Sequence, residues 1–246
     1  MRALVLLLLL AAPVAAVPAW AGARLDDLEW VQRQGAPLPM DAPLWEAGGQ
    51  ATTLRRVAGG LPLVLAPGYF RCPNLCGTVR DDLSIALAQS GLQAGRDYAL
   101  AFLSVDPAEG PDEAAAAHVP DGHRLTGPAA STAAIADAAG FPFRFDPALR
   151  QILHPGGVAV ASPAGQVSGY VLGVGYDPGA LRNAVRLAGA GGQAAANPVL
   201  LLCFHYDAAT GRYTLAVQKL LRIAAALTAL SIGGTLWLAH RPRNPS

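Results

Sequence analysis

Apolar residues fall along this chain in two registers, and the changes between them mark its elements. Unbroken apolar runs of strand length stand at residues 61–66 (Leu-Pro-Leu-Val-Leu-Ala) and 98–105 (Tyr-Ala-Leu-Ala-Phe-Leu-Ser-Val), the pattern of strands buried on both faces. From Pro73 to about Gly91 the period becomes helical, with Val79, Leu83, Ala86 and Leu87 on one face, Arg80, Asp81 and Asp82 leaning outward, and Gly91 as a stop. Two apolar strands joined by a helix predict a βαβ unit with parallel strands. Residues 111–117 read as a helix with Pro111 at its first position and Asp112 and Glu113 in its first turn. Residues 125–127 read as a short strand, and 131–139 as a helix capped by Ser131. After the aromatic stretch 141–145, residues 158–161 and 167–171 flank a Ser-Pro-Ala-Gly turn as a hairpin, and 178–187 close the domain as a helix. This order predicts an α/β domain of thioredoxin-like architecture over residues 61–188.

The two ends carry a different pattern. Arg2, the apolar run 3–12 and the small-residue sequence Ala19-Trp20-Ala21 have the layout of a signal peptide over residues 1–21. Residues 223–239 lack any charge, and Trp237 and the basic tail His240-Arg241-Pro242-Arg243 follow at their end. A transmembrane helix over 216–239 with a cytoplasmic tail over 240–246 is expected, which places the domain outside the cytoplasm. Residues 22–60, with Pro37, Pro39, Pro43 and the Gly48-Gly49 pair, read as a mostly irregular lead-in with a short hairpin near 51–57. Residues 189–215 read as linker and membrane-proximal segment. The expected location is the bacterial inner membrane, single-pass, with the domain on the periplasmic side.

Composition sharpens this in one respect. Eighteen Lys and Arg against 17 Asp and Glu give a net charge of +1, with 52% hydrophobic residues and no basic run, so a nucleic-acid partner is excluded. No phosphate-binding glycine loop and no nucleophile elbow occur.

The candidate chemistry lies where the first buried strand gives way to the helix, in Tyr69-Phe70-Arg71-Cys72-Pro73-Asn74-Leu75-Cys76-Gly77. Helix first-turn amides favour negative charge and so favour thiolate, the form that attacks disulfides and binds soft metals. The C-x-x-x-C spacing admits three readings: a structural disulfide, thiol–disulfide exchange, or a copper site needing at least one more ligand. Of five histidines, His154 stands directly before the predicted hairpin, where a thioredoxin-like fold brings its loop against the cysteine loop. His118 and His123 occur in a polar stretch and read as solvated. Cys203 and His205, two residues apart in an apolar segment, read as packing residues or as an auxiliary copper or redox pair.

With Cys72-Pro73-Asn74-Leu75-Cys76, Ser104-Val105-Asp106-Pro107 and His154 in place, the chain from about residue 61 to 187 resembles the Sco/SenC copper chaperones that assist cytochrome c oxidase assembly. The resemblance implies a thioredoxin-like fold in which Cys72, Cys76 and His154 bind one copper ion, as Cu(I) or Cu(II). It implies that Asp106-Pro107 ends the second strand, with Asp106 an auxiliary candidate for tuning the site. The implied recipient is the dinuclear copper centre of oxidase subunit II, and no catalytic turnover is required. The competing expectation is a membrane-tethered thiol–disulfide oxidoreductase using Cys72 and Cys76 as its redox pair. Gly77 stands where proline often follows the second cysteine, Pro155 follows His154, and the anchor is C-terminal where many relatives carry it at the N-terminus.

Overall fold

The apolar run at 61–66 folds as the centre of a sheet. The computed structural model describes residues 28–72, 76–119, 121–194, 206–207, 212–213 and 215–240; the side chains of Cys76, of 206–207 and 212–213, and of both ends of the last helix lie outside that description. In chain order the elements are β1 (Leu44–Glu46), β2 (Ala51–Thr52), α1 (Leu54–Ala58), β3 (Leu63–Gly68), α2 (Cys76–Gln89), β4 (Ala99–Ser104), α3 (Pro111–Ala116), β5 (His123–Thr126) and α4 (Ala129–Ala138). There follow β6 (Arg144–Asp146), β7 (Gln151–Leu153), β8 (Gly157–Ala161), β9 (Val167–Leu172) and α5 (Pro178–Gly189).

Seven strands form one mixed sheet in the order β2-β1-β5-β4-β3-β8-β9. β3, β4 and β5 are parallel, and β8 and β9 close the other side as an antiparallel hairpin. The βαβ unit and the hairpin therefore stand as the sequence predicts. Successive side chains of a strand point to opposite faces, so β3 sends Leu63 and Leu65 into a core with Ile135 and Phe141, and Val64 into one with Leu83, Leu87, Leu181 and Val185. All three β3 residues are wholly buried. The register pairs Gly68 with Ser104, which sets the C-terminal ends of β3 and β4 side by side.

Three expectations are corrected. The lead-in is mostly irregular as expected, but its hairpin lies earlier than 51–57: β1 and β2 form it and extend the sheet beside β5, and α1 takes 54–58, with Thr53 accepting from the amide of Arg56. Its order comes from long-range contacts, with the amide of Leu38 donating to the Gly165 carbonyl and that of Gly35 to Val167. Ser131 is no cap: α4 begins at Ala129 behind Pro128, and Ser131 is buried within it. A further hairpin, β6 with β7, leads directly into His154. Arg80 and Asp82 are not turned to solvent. Arg80 donates to the Tyr69 carbonyl at 3.3 Å, and Asp82 accepts from the amides of Gly175 and Tyr176 at 2.9 and 3.1 Å.

The chain divides into two units, Met1–Ala194 and Ala195–Ser246. In the second, β10 (Tyr206–Asp207) pairs antiparallel with β11 (Arg212–Tyr213), and α6 spans Leu215–His240. Ile223, Leu227, Leu230, Ile232 and Leu236 are exposed along α6. Side chains are described there only from Arg222 to Leu236, and among the described residues no helix is long and apolar enough to cross a membrane. The expected signal peptide at 1–21 lies outside the described residues.

Candidate metal centre

The site is built on the paired ends of β3 and β4. β3 finishes at Gly68, after which Tyr69 and Phe70 are buried and Arg71 turns outward. Cys72 is half-buried, packs against the core that holds Tyr69, Phe141 and Ile152, and is disulfide-bonded. Residues 73–75 lie outside the described structure, and Cys76 opens α2. The second cysteine therefore belongs to a helix first turn, the setting that favours thiolate over thiol.

His154 reaches the same corner from the other side of the chain. It follows β7 and precedes β8, the strand antiparallel to β3. Its ring meets Tyr69 edge-on at 5.8 Å between centroids and tilts against Phe141 at 5.3 Å. The Cε1–Nε2 edge lies over Gly68, where a Cβ would stand 3.8 and 3.9 Å from those two atoms. Nδ1 is 3.1 Å from the carbonyl of Pro155. A carbonyl only accepts, so Nδ1 carries the proton and the lone pair resides on Nε2, the atom turned toward the end of β3. Burial pushes the imidazole below the usual histidine range, and the Pro155 carbonyl offsets that only in part. The neutral ring is the ligating form, so tautomer, charge state and orientation agree with a soft-metal role.

A cavity of about 70 Å³ adjoins this ring, with Gly68, Phe70, Arg80, Gly156 and Tyr176 in its wall. The Arg80 guanidinium lies 6.0 Å over the Phe70 ring, and burial lowers its pKa from the ordinary arginine range. A larger hollow of about 380 Å³ lies at the opposite end of β3, beside Leu61, Pro62, Arg96 and Val185; it contains no cysteine or histidine and is no part of this site.

Asp106 occupies the turn after β4. Its Oδ1 accepts from the Ala108 amide at 2.8 Å, and its Oδ2 is 3.9 Å from Arg71 Nη2, so it serves the strand-end turn and also faces the cysteine loop. Among the described residues no group of three or more His, Cys, Asp or Glu converges on one metal position, the side chain of Cys76 lying outside them. Cys203 and His205 also lie outside the described residues. His118 and His123 are both exposed as expected, and His123 is also paired at 2.7 Å with Glu46.

The sequence pattern of the SCO1/SenC family matches residues 34–186. This chain belongs to the SCO1/SenC family. Solved structures share the fold. A putative electron transfer protein from Aquifex aeolicus is 24% identical with a TM-score of 0.58, covering 64% of this chain and 95% of its own. The copper-bound ScoI of Arabidopsis thaliana is 19% identical with a TM-score of 0.52, covering 63% and 98%. The copper-bound ScoI of Bradyrhizobium japonicum is 20% identical with a TM-score of 0.50, covering 63% and 98%. No curated protein sequence matches the chain. For a SCO1/SenC member, the mixed sheet with its strand-end cysteine loop is the thioredoxin-like arrangement expected from the sequence.

Three residues of this corner escaped the sequence reading. Glu109, in the loop before α3, is buried under the cysteine loop, and Trp30 donates its indole N–H to the Gly156 carbonyl at 2.9 Å, behind His154. Arg80 is the third. The one available signal was an acid placed just after the Asp106-Pro107 turn; nothing in composition or period marks a buried carboxylate.

Proposed function

We propose that this chain is a copper chaperone in which reduced Cys72 and Cys76, with His154, hold one copper ion and pass it on by ligand exchange. The observation that carries the reading is the His154 ring, neutral, with its lone-pair nitrogen turned to the end of β3 just before the cysteine loop. Two thiolates favour Cu(I) by softness, and the imidazole lets Cu(II) bind as well. A partner's thiolates or imidazoles enter as these ligands leave, so no turnover of bonds in a substrate is needed. The recipient we propose is the dinuclear copper site of cytochrome c oxidase subunit II. Residues 216–239 anchor the chain in the bacterial inner membrane after export by residues 1–21, with the copper domain on the periplasmic side.

A second reading is favoured by one observation, the disulfide at Cys72 in a thioredoxin-like strand-to-helix loop. In it the Cys72–Cys76 dithiol transfers two electrons and two protons to a recipient's disulfide, which becomes two thiols while Cys72 and Cys76 close to a disulfide. That chemistry needs no histidine.

Copper titration of the protein in its dithiol and disulfide states, followed by absorption, tests the first reading. One equivalent taken up by the dithiol form and little by the disulfide form is expected. Absence of binding by the dithiol form overturns it, and disulfide reductase activity that survives His154→Ala then favours the second.

A further inference from the structure

The Glu109 side chain is fully buried, yet it belongs to a loop and, among the described residues, pairs with no buried cation. Its compensation comes from the cysteine loop. Oε2 accepts from the Phe70 amide at 2.7 Å and from Ser104 Oγ at 2.6 Å, and Oε1 accepts from the Arg71 amide at 2.6 Å. Among the described residues, the cations near it are Arg71 of the loop, 3.7 Å away and half-exposed, and Arg80 of α2, on which the Glu109 charge acts more weakly than burial. Buried carboxylates are costly unless such donors surround them, so a residue of this kind at a strand end holds something in place.

We propose that Glu109 is the positioning residue of the copper loop, its two oxygens fixing the successive amides of Phe70 and Arg71 that set the path of the chain into Cys72. The inference rests on the copper reading of Cys72, Cys76 and His154 and adds the group that presents the first of them. Geometry decides why a carboxylate is needed. Two N–H groups and one hydroxyl converge on two oxygens, and an amide in its place would turn an NH2 against the Phe70 or the Arg71 N–H, because only the Ser104 hydroxyl can reverse its role. Ser104 is itself set by β4, and its Oγ also accepts from the Asp106 amide at 3.1 Å. The turn after β4 is thereby joined to the turn after β3 through one side chain.

Glu109→Gln in the full chain tests this. In the variant the loop must be ordered by copper itself, so copper affinity of the dithiol form falls by about tenfold. The disulfide form loses its hold as well, and the exchange equilibrium of the Cys72 disulfide with glutathione moves toward the dithiol by about fivefold. A carboxylate that only stabilises the fold lowers the melting temperature and leaves both equilibria of the folded protein unchanged; that result overturns the proposal. Where Glu109→Gln yields no folded protein, Ser104→Ala carries the test: a shift of either equilibrium in the same direction, about threefold, supports it, and unchanged equilibria overturn it. Should the unaltered protein bind no copper, the copper reading fails, and the glutathione equilibrium of the variant still decides the role of Glu109.

Discussion

Replacing Trp30 by Phe probes whether the lead-in holds the His154 loop. Trp30 is 9% exposed; its ring meets Phe141 edge-on at 5.0 Å and Tyr170 at 5.4 Å, and its Nε1–H donates to the Gly156 carbonyl at 2.9 Å. The substitution removes that bond and part of the indole. The Gly156 carbonyl keeps a second donor, the Gly173 amide at 3.2 Å, so it is not orphaned and the loss lies near the low end, about 0.5 kcal/mol. Deleting buried ring atoms adds about 1–2 kcal/mol for lost transfer and residual cavity. The sum is about 2 kcal/mol, or about 4–8 °C in melting temperature for a chain of this size. Urea unfolding followed by far-ultraviolet circular dichroism measures it, at constant m-value. A destabilisation below about 0.5 kcal/mol would mean that the lead-in does not clamp this side of the domain.

Gly157→Ala attacks the same loop through the backbone. Gly157 has φ 134°, and a Cβ there would stand 3.0 Å from Leu172 Cα and 3.0 Å from Trp30 Nε1, so a loss of about 2 kcal/mol or more is expected in the same urea assay, with weaker copper binding. Histidine titration contributes to stability on both sides of pH 6.5. His123 is raised above 6.5, chiefly by its bond to Glu46; its contribution is full below 6.5 and is lost as pH rises through the folded value. His154 is lowered from 6.5 by burial; its contribution is full above 6.5 and is lost as pH falls through its folded value. In Glu46→Gln the urea midpoint should therefore be lower than the parent's at pH values below 6.5, where the His123–Glu46 pair contributes, and approach the parent's toward pH 8, so that the decline on the alkaline side is smaller; no difference from the parent would contradict the His123 assignment.

The parts of the fold that the residue pattern disclosed are those where local pattern and burial agree. The β3 and β4 runs are wholly apolar because both faces of the sheet are covered, and Ser162 to Gly165 makes the turn the β8–β9 hairpin needs. Where order depends on distant contacts the pattern is silent. Leu38, Met40 and Leu44 stand among prolines with no period, and their partners are scattered: the Leu38 amide donates to the Gly165 carbonyl before β9, the Met40 carbonyl accepts from the Arg55 amide, and Leu44 pairs with Thr52 of β2. Three-residue strands such as β6 and β7 are too short to show alternation. Charge misled at Arg80, which was expected to lean outward but lays its guanidinium over the Phe70 ring and donates to the Tyr69 carbonyl, and it gave no signal at Glu109, which is satisfied by amides; neither obeys the rule that charges face water. In the site, Cys72 and His154 were readable as residues. The tautomer that makes the histidine a donor follows from Pro155, whose carbonyl the chain brings back onto its own ring.

Sharing of one copper ion by two cysteines and one histidine is read out by X-ray absorption fine structure of the copper(I)-loaded full chain and of its His154→Ala variant. Two sulfur ligands and one imidazole are expected in the parent, and sulfur scattering with the imidazole signal lost in the variant. An imidazole signal that persists in His154→Ala, or a parent spectrum without two sulfurs, would contradict it.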